Sequence, residues 1–212
     1  MKLLIIGANG GVGSHVTKYA LDRGHEVDAL INMDKPVDPR ATIIRDNAFN
    51  LTSEDIRKYD AVISCFASGF GGDPALNKMI CEHYVSIFKG EKTRLLHIVG
   101  SGCLYQDETR TLRNYQRPDH PSFLVDISRY ATDGLNILMN SVSVNWTVVI
   151  PSITFENTET GSGKYKVGTD LIAQVNEEGK SYSRYYDLAH AMVDFVEKGQ
   201  YNKQAVTILS QD

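Results

Sequence analysis

The first residues with a chemical task are glycines. Gly7-Ala8-Asn9-Gly10-Gly11-Val12-Gly13 has a GxxGxxG spacing, directly after the apolar run Leu3-Leu4-Ile5-Ile6. In that context Gly7 lets the chain leave a strand in a tight turn. Gly10 lets backbone approach a pyrophosphate with no Cβ in the way, and Gly13 lets the following helix pack closely on the sheet. The start of that helix adds unpaired N–H groups and about half a unit of positive charge. Strand, turn and helix in this order predict a dinucleotide cradle. Gly161-Ser162-Gly163-Lys164 is only a lookalike. It lacks the upstream glycine of a P-loop, and Tyr165 stands where a Ser or Thr would hold Mg²⁺, so it reads as a loop.

The second strand ends at Ile31-Asn32-Met33. An NAD site usually places an acid there for the ribose hydroxyls. Asn32 has no charge to repel a 2′-phosphate and Lys35 follows closely, which favours NADP(H) over NAD(H), with Asp34 weighing the other way.

Proton-transfer chemistry is sparse. A Tyr-x-x-x-Lys pair would put both groups on one helix face, where the lysine charge stabilises tyrosinate and brings a pKa near ~10 into use at neutral pH. None of the 11 tyrosines has Lys four residues later; Tyr130 is followed by Gly134 and Tyr115 by Asp119. Ser101 is placed to hydrogen-bond an acceptor, and His120 and Tyr130 are the spare proton donors. Tyr105, Tyr115, His120, Phe155 and Tyr165 are candidates for an aromatic wall. Arg129 reads as a partner in a surface salt bridge. The six histidines and three cysteines form no HExxH, CxxC or other ligand cluster, so no metal is expected.

The elements that must hold these residues alternate. Helical segments are predicted over 11–23, a short one after Thr52 with capping-box spacing to Asp55, one starting at Asp73-Pro74, and others over 122–140 and 186–198. Strands are predicted over 27–31, 42–45, 61–66, 95–99, 144–150 and 205–209, with short ones around 164–167 and 181–183. Alternating strands and helices imply an α/β fold with a doubly wound parallel sheet and ligands beyond the strands' C-terminal ends. The chain reads as one domain, 1–212, with a small substrate-side region formed by about 102–121 and 151–185.

Net charge is −4 with no basic run, so no nucleic-acid partner is expected. The odd cysteine count suits reduced thiols, and no apolar run could span a bilayer, so a cytoplasmic protein with no membrane partner is expected. A monomer or homodimer fits this reading.

The glycine run resembles the GATGxxG opening of the atypical short-chain dehydrogenase/reductases, which have a Rossmann-type NAD(P)-binding fold. His25-Glu26-Val27, Val144 to Pro151, Gly161 to Gly168 and Tyr186-Asp187-Leu188-Ala189 are similar to an NAD(P)H-binding subgroup of NmrA-like and NADH-flavin reductase-like proteins. The resemblance covers nearly the whole chain. It implies that Gly7, Asn9, Gly10, Val12 and Gly13, with Gly11 among them, contact the pyrophosphate. It places Asn32 at the adenosine ribose, with Lys35 nearby, and Asp46 and Asn47 at the adenine. Cys65, Phe66 and Ala67 would line the cofactor, Gly100 and Ser101 would approach the nicotinamide, and Pro151, Ser152 and Ile153 would flank it. Two functions remain open: a reductase passing hydride to a small planar acceptor such as a flavin or quinone, which needs little acid catalysis, or an NmrA-type redox-sensing regulator that binds NAD(P)(H) without turnover.

Overall fold

The computed structural model describes all residues 1–212. The apolar run Lys2–Ile6 forms β1 at the centre of the molecule. It pairs in parallel with β2 (Glu26–Ile31) on one side and β4 (Ala61–Ser64) on the other. β3 (Thr42–Arg45), β5 (Arg94–Ile98), β6 (Trp146–Pro151) and β10 (Gln204–Gln211) extend the parallel sheet. β8 (Lys164–Gly168) closes one edge antiparallel to β10, giving the order β3-β2-β1-β4-β5-β6-β10-β8. β7 (Thr154–Glu156) and β9 (Tyr182–Arg184) make a separate two-stranded pair. This is the doubly wound α/β sheet, Rossmann-like, that the alternating pattern implied.

Strands buried on both faces need helices on both faces. α1 (Gly11–Asp22) and α5 (Tyr185–Glu197) cover one; α3 (Leu76–Ile87) and α4 (Ser122–Met139) cover the other. The intervening α2 (Ser53–Ile56) is a single turn with the Thr52–Asp55 capping box expected from sequence. Gly24 ends α1 at φ +80°, where a Cβ would be strained.

Several strand ends shift by one or two residues from the sequence pattern, β6 starting at Trp146 and β10 running to Gln211, and two differences bear on the site. β4 stops at Ser64, so Cys65 and Phe66 belong to the loop beyond the strand. Only the Cys65 N–H continues the ladder, donating to the Ile6 carbonyl. Asp73 does cap a turn, its Oδ1 accepting from the Ala75 N–H, but α3 itself starts three residues later at Leu76.

The α3–α4 contact fixes the rotation of α4. A Cβ on Gly134 would lie 2.8 Å from the Asn77 carbonyl oxygen and 2.8 Å from Cys81 Sγ. Gly134 therefore faces α3 at backbone distance. That turns Leu124, Ile127, Ser128 and Ala131 toward the C-terminal ends of β4 and β5.

Candidate functional site

A cleft of about 620 Å³ opens beyond the C-terminal ends of β1, β4 and β5, at the position where doubly wound sheets bind ligands. The size is that of a small-molecule or cofactor site. At one end lie Gly7, Asn9, Gly10, Gly11 and Val12. Gly7 turns out of β1 at φ +72°, and a Cβ there would press on the Cys65 carbonyl at 3.0 Å. Gly13 does not line the cleft; its Cβ would lie 2.0 Å from the Gly7 oxygen, so its role is to bring α1 onto the turn. Gly11 does line it, and also leaves room for the Tyr185 ring, which a Cβ would meet at 2.5 Å. Gly10 is the N-cap of α1 and offers no side chain to the first turn. The opening N–H groups of this 12-residue helix therefore point at the cleft without an intrahelical partner, a cradle suited to a pyrophosphate.

Asn32 and Met33 line the cleft at the tip of β2, where Asn9 Nδ2 donates to the Met33 carbonyl at 2.9 Å. Lys35 does not line it. Sequence reasoning passed over Arg45, which the β2–β3 register sets opposite Ile31 and which pairs with Asp34 at 3.1 Å. Asp46 and Asn47 also lie off the cleft. Their side chains accept from the Asn47, Asn50 and Phe49 nitrogens and so shape the turn, while the following Ala48 reaches the cleft wall.

Cys65, Phe66 and Ala67 line the middle, and Gly100, Ser101, His120 and Ile153 the far half. Burial pushes the Cys65 thiol up to about 12, so it is no thiolate nucleophile. Pro151 and Ser152 turn away: Pro151 pairs with Ile208, and Ser152 Oγ donates to the Ile208 carbonyl at 2.8 Å. Tyr130 is also off the cleft, lying two residues past Ser128 on the other side of α4, under the Arg129 guanidinium. Arg129 itself pairs with Asp126. Of the expected aromatic wall, His120 and Phe155 are present. Tyr105 lies beneath Arg113, Tyr115 is away from the cleft, and Tyr165 donates to Asp194 at 2.9 Å. Phe66, Phe70 and Tyr185 supply aromatic surface instead. The Gly161–Lys164 loop is structural, its Gly163 N–H donating to the buried Asp187 carboxylate.

The α4 wall decides the chemistry. Two i,i+4 pairs face the cleft, Ile127 with Ala131 and Leu124 with Ser128, and neither has the tyrosine and lysine of a proton relay. The polar contact on this side is Ser128 Oγ with His120 Nε2 at 3.4 Å. Ser128 was not foreseen; a Cβ on Gly102 would lie 2.3 Å from its hydroxyl, which shows how closely that loop seats it. None of the 30 lining residues is Asp, Glu, Lys or Arg.

From the cleft lining at His97 a buried polar chain that sequence reasoning also missed runs into the core. His97 Nδ1 meets Ser64 Oγ at 3.1 Å, and Ser64 Oγ meets the Tyr84 hydroxyl at 2.7 Å. Burial disfavours the imidazolium and pulls His97 down to about 4, and it raises the Tyr84 phenol. Neutral His97 thus links fold to pH. With an ordinary value of 6.5 in the unfolded chain, its contribution is complete above that pH and is lost as pH falls toward 4. The loss amounts to about 3 kcal/mol. Burial also lowers His83 and His190, which act with the same sign. Denaturant midpoints should fall between pH 7 and pH 4.5, and His97→Gln should flatten that slope; an unchanged slope in the variant would mean that His97 is not the group responsible.

The chain matches the NAD(P)H-binding domain family over residues 7–198. It is 34% identical over 213 residues to the uncharacterized protein YwnB of Bacillus subtilis, covering 100% of this chain and 99% of YwnB. A solved Streptococcus pneumoniae structure, provisionally named an NADH-flavin reductase, superposes with a TM-score of 0.90 at 34% identity, covering 100% of both chains. A Lactobacillus casei structure gives a TM-score of 0.88 at 24% identity, again over 100% of both chains, and shows the fold alone. With the glycine turn and the doubly wound sheet in place, and with the match over residues 7–198, the chain belongs to the NAD(P)H-binding family.

Proposed function

We propose that this protein is an NAD(P)H-dependent reductase that delivers hydride to a flavin, quinone or similar conjugated acceptor. One observation carries the reading: the cleft joins a dinucleotide cradle to an α4 wall that has no titratable i,i+4 pair. The similarity to the S. pneumoniae protein supports it. Gly7, Gly10 and the first turn of α1 would hold the pyrophosphate, and Asn32 the adenosine ribose. Cys65, Phe66, Ala67, Gly100 and Ile153 would enclose the nicotinamide. NAD(P)H, when bound, supplies the hydride. Ile127 and Ala131 exclude water from the acceptor face without offering a proton. Ser101, whose hydroxyl makes only a long 3.5 Å contact to the Ile153 carbonyl, is free to turn toward the acceptor, and the His120–Ser128 pair lies in the same lining as a protein proton source. A conjugated acceptor spreads the added charge and takes its proton from solvent, so alignment does most of the catalysis.

NADP(H) is the proposed cofactor form. Asn32 leaves the β2 tip without an acid, and Arg45, set opposite Ile31 by strand register and held by the 92%-exposed Asp34, is a cation at that tip for a 2′-phosphate, outside the cleft lining as Lys35 is. The charge-free cleft lining leaves that phosphate no partner inside.

Three outcomes are expected. Purified protein should oxidise NADPH in the presence of menadione or riboflavin, followed at the dihydronicotinamide absorbance. Tight NADPH binding with no turnover on any acceptor would instead assign the protein to redox sensing. Arg45→Ala should weaken NADPH binding by about tenfold or more, the worth of one charge-assisted phosphate contact, and leave NADH unchanged; equal effects on both would remove the NADP(H) preference. Gly10→Val should fold with a small local shift, since a Cβ there meets the Gly7 oxygen at a tight 3.1 Å and nothing else within 4 Å, yet lose nucleotide binding in a calorimetric titration. Retained binding would show that the pyrophosphate lies elsewhere.

A further inference from the structure

Two phenylalanines at the cleft mouth are exposed although the chain has a large core to bury them in. Phe70 is 82% and Phe123 67% accessible, yet their rings meet edge to face with centroids 6.0 Å apart. Leaving such a ring in water forgoes the favourable free energy of burying it. Phe70 lines the cleft, so the pair is continuous with it. Phe123 is fixed in the first turn of α4, next to the cleft residue Leu124. Phe70 is carried differently. It sits between Gly69 (φ +73°) and Gly71 (φ +85°), at neither of which a Cβ would meet any atom within 4 Å. The base of this loop is pinned: the Ser68 N–H donates to Asn77 Oδ1 at 3.1 Å, and Asn77 Nδ2 donates to Ser68 Oγ at 2.8 Å. A tethered base with glycines on both sides of the ring leaves the tip free to hinge against a fixed partner ring.

We infer that Phe70 and Phe123 form the acceptor's ring-binding subsite, and that this subsite selects an uncharged planar acceptor. The inference rests on the reductase reading above and names its substrate class. Two apolar rings at the mouth suit the faces of a planar conjugated molecule, with which they stack or meet edge on. The lining offers no cation for a phosphate or carboxylate on the acceptor, and desolvating such a charge without a partner is costly. A quinone or an unphosphorylated isoalloxazine is therefore accepted, and a flavin mononucleotide is disfavoured.

The test compares wild type with F70A, F123A and the double variant, using menadione, riboflavin and flavin mononucleotide as acceptors. The double variant should raise KM for menadione about tenfold, as expected for loss of one to two aromatic contacts. NADPH affinity and melting temperature should stay unchanged, because both rings are exposed in the free protein. F70W should restore KM. Wild type should take riboflavin at a lower KM than flavin mononucleotide. An active wild type whose KM is untouched by the double variant overturns the subsite, and so does preference for the phosphorylated flavin. If loss of both rings instead abolishes a dimer in sedimentation while KM holds, the rings serve a second copy of the chain and the inference fails. Equilibrium dialysis of menadione separates the two levels. A wild type that binds menadione more tightly than the double variant but never turns over retains the subsite and loses the reductase reading. Equal binding by both, or binding by neither, overturns the subsite itself.

Discussion

The approach of α1 to the β1 turn is the constraint on which the site depends. Gly13 brings the helix so near the Gly7 carbonyl that no side-chain carbon fits between them. Close packing there aims the helix N-terminus along the C-terminal edge of the sheet rather than into solvent. The same turn is braced from the other side, where a Cβ on Gly7 would press on the Cys65 carbonyl at 3.0 Å and be strained at φ +72°. The glycines therefore differ in duty: Gly13 is a packing position, Gly7 is both a turn and a lining position, and Gly10 lines the cleft at the helix N-cap. Loss of either Gly7 or Gly13 would displace the cradle even if every other contact residue remained.

A second glycine sets what the opposite wall can do. At Gly134 α4 touches α3 at backbone distance, so this position belongs to the helix interface. The rotation that follows puts Ile127 and Ala131 toward the cleft and Tyr130 away from it. The missing tyrosine–lysine relay is thus more than a matter of residue identity at one spacing. The spacing Tyr130 to Gly134 does not face the cleft, and a lysine at position 134 would enter a buried contact where its charge has no partner.

These two glycines also mark how far the sequence could be read. The β1–α1 cradle was legible because its determinants are local: strand, turn and helix lie within the first 23 residues, and each has its own pattern. The sheet was legible because buried strands are apolar runs. The cleft's far half was not, because its surface is set by helix rotation and loop path. Tyr105, Tyr115 and Tyr165 were reasonable aromatic candidates by sequence proximity, yet each is turned elsewhere, Tyr105 under Arg113 and Tyr165 onto Asp194. Ser128 carries no motif; only its place one turn before Thr132 on the buried face of α4, against Gly102, makes it a cleft residue. Arg45 reached the β2 tip through strand register, 13 residues after Asn32 in the chain. The His97–Ser64–Tyr84 chain joins two strands and a helix, and no single segment hints at it.

A cleft without formal charge must hold a dianionic pyrophosphate by other means. Backbone N–H groups and the α1 dipole can do so because both are fixed by the fold and need no reorganisation when the anion arrives. The same absence of charge has a consequence at the other end. A lysine or arginine near the acceptor would hold anionic molecules in general, and a carboxylate would work against the negative charge that hydride brings to the acceptor ring. With neither present, and with the cleft-lining His97 kept neutral by burial, the face proposed for the acceptor carries no formal charge. Discrimination there must come from shape and from the penalty for burying charge. In the proposed reading both would depend on how tightly the mouth packs on the ring, and that is where the glycine-flanked Phe70 meets Phe123.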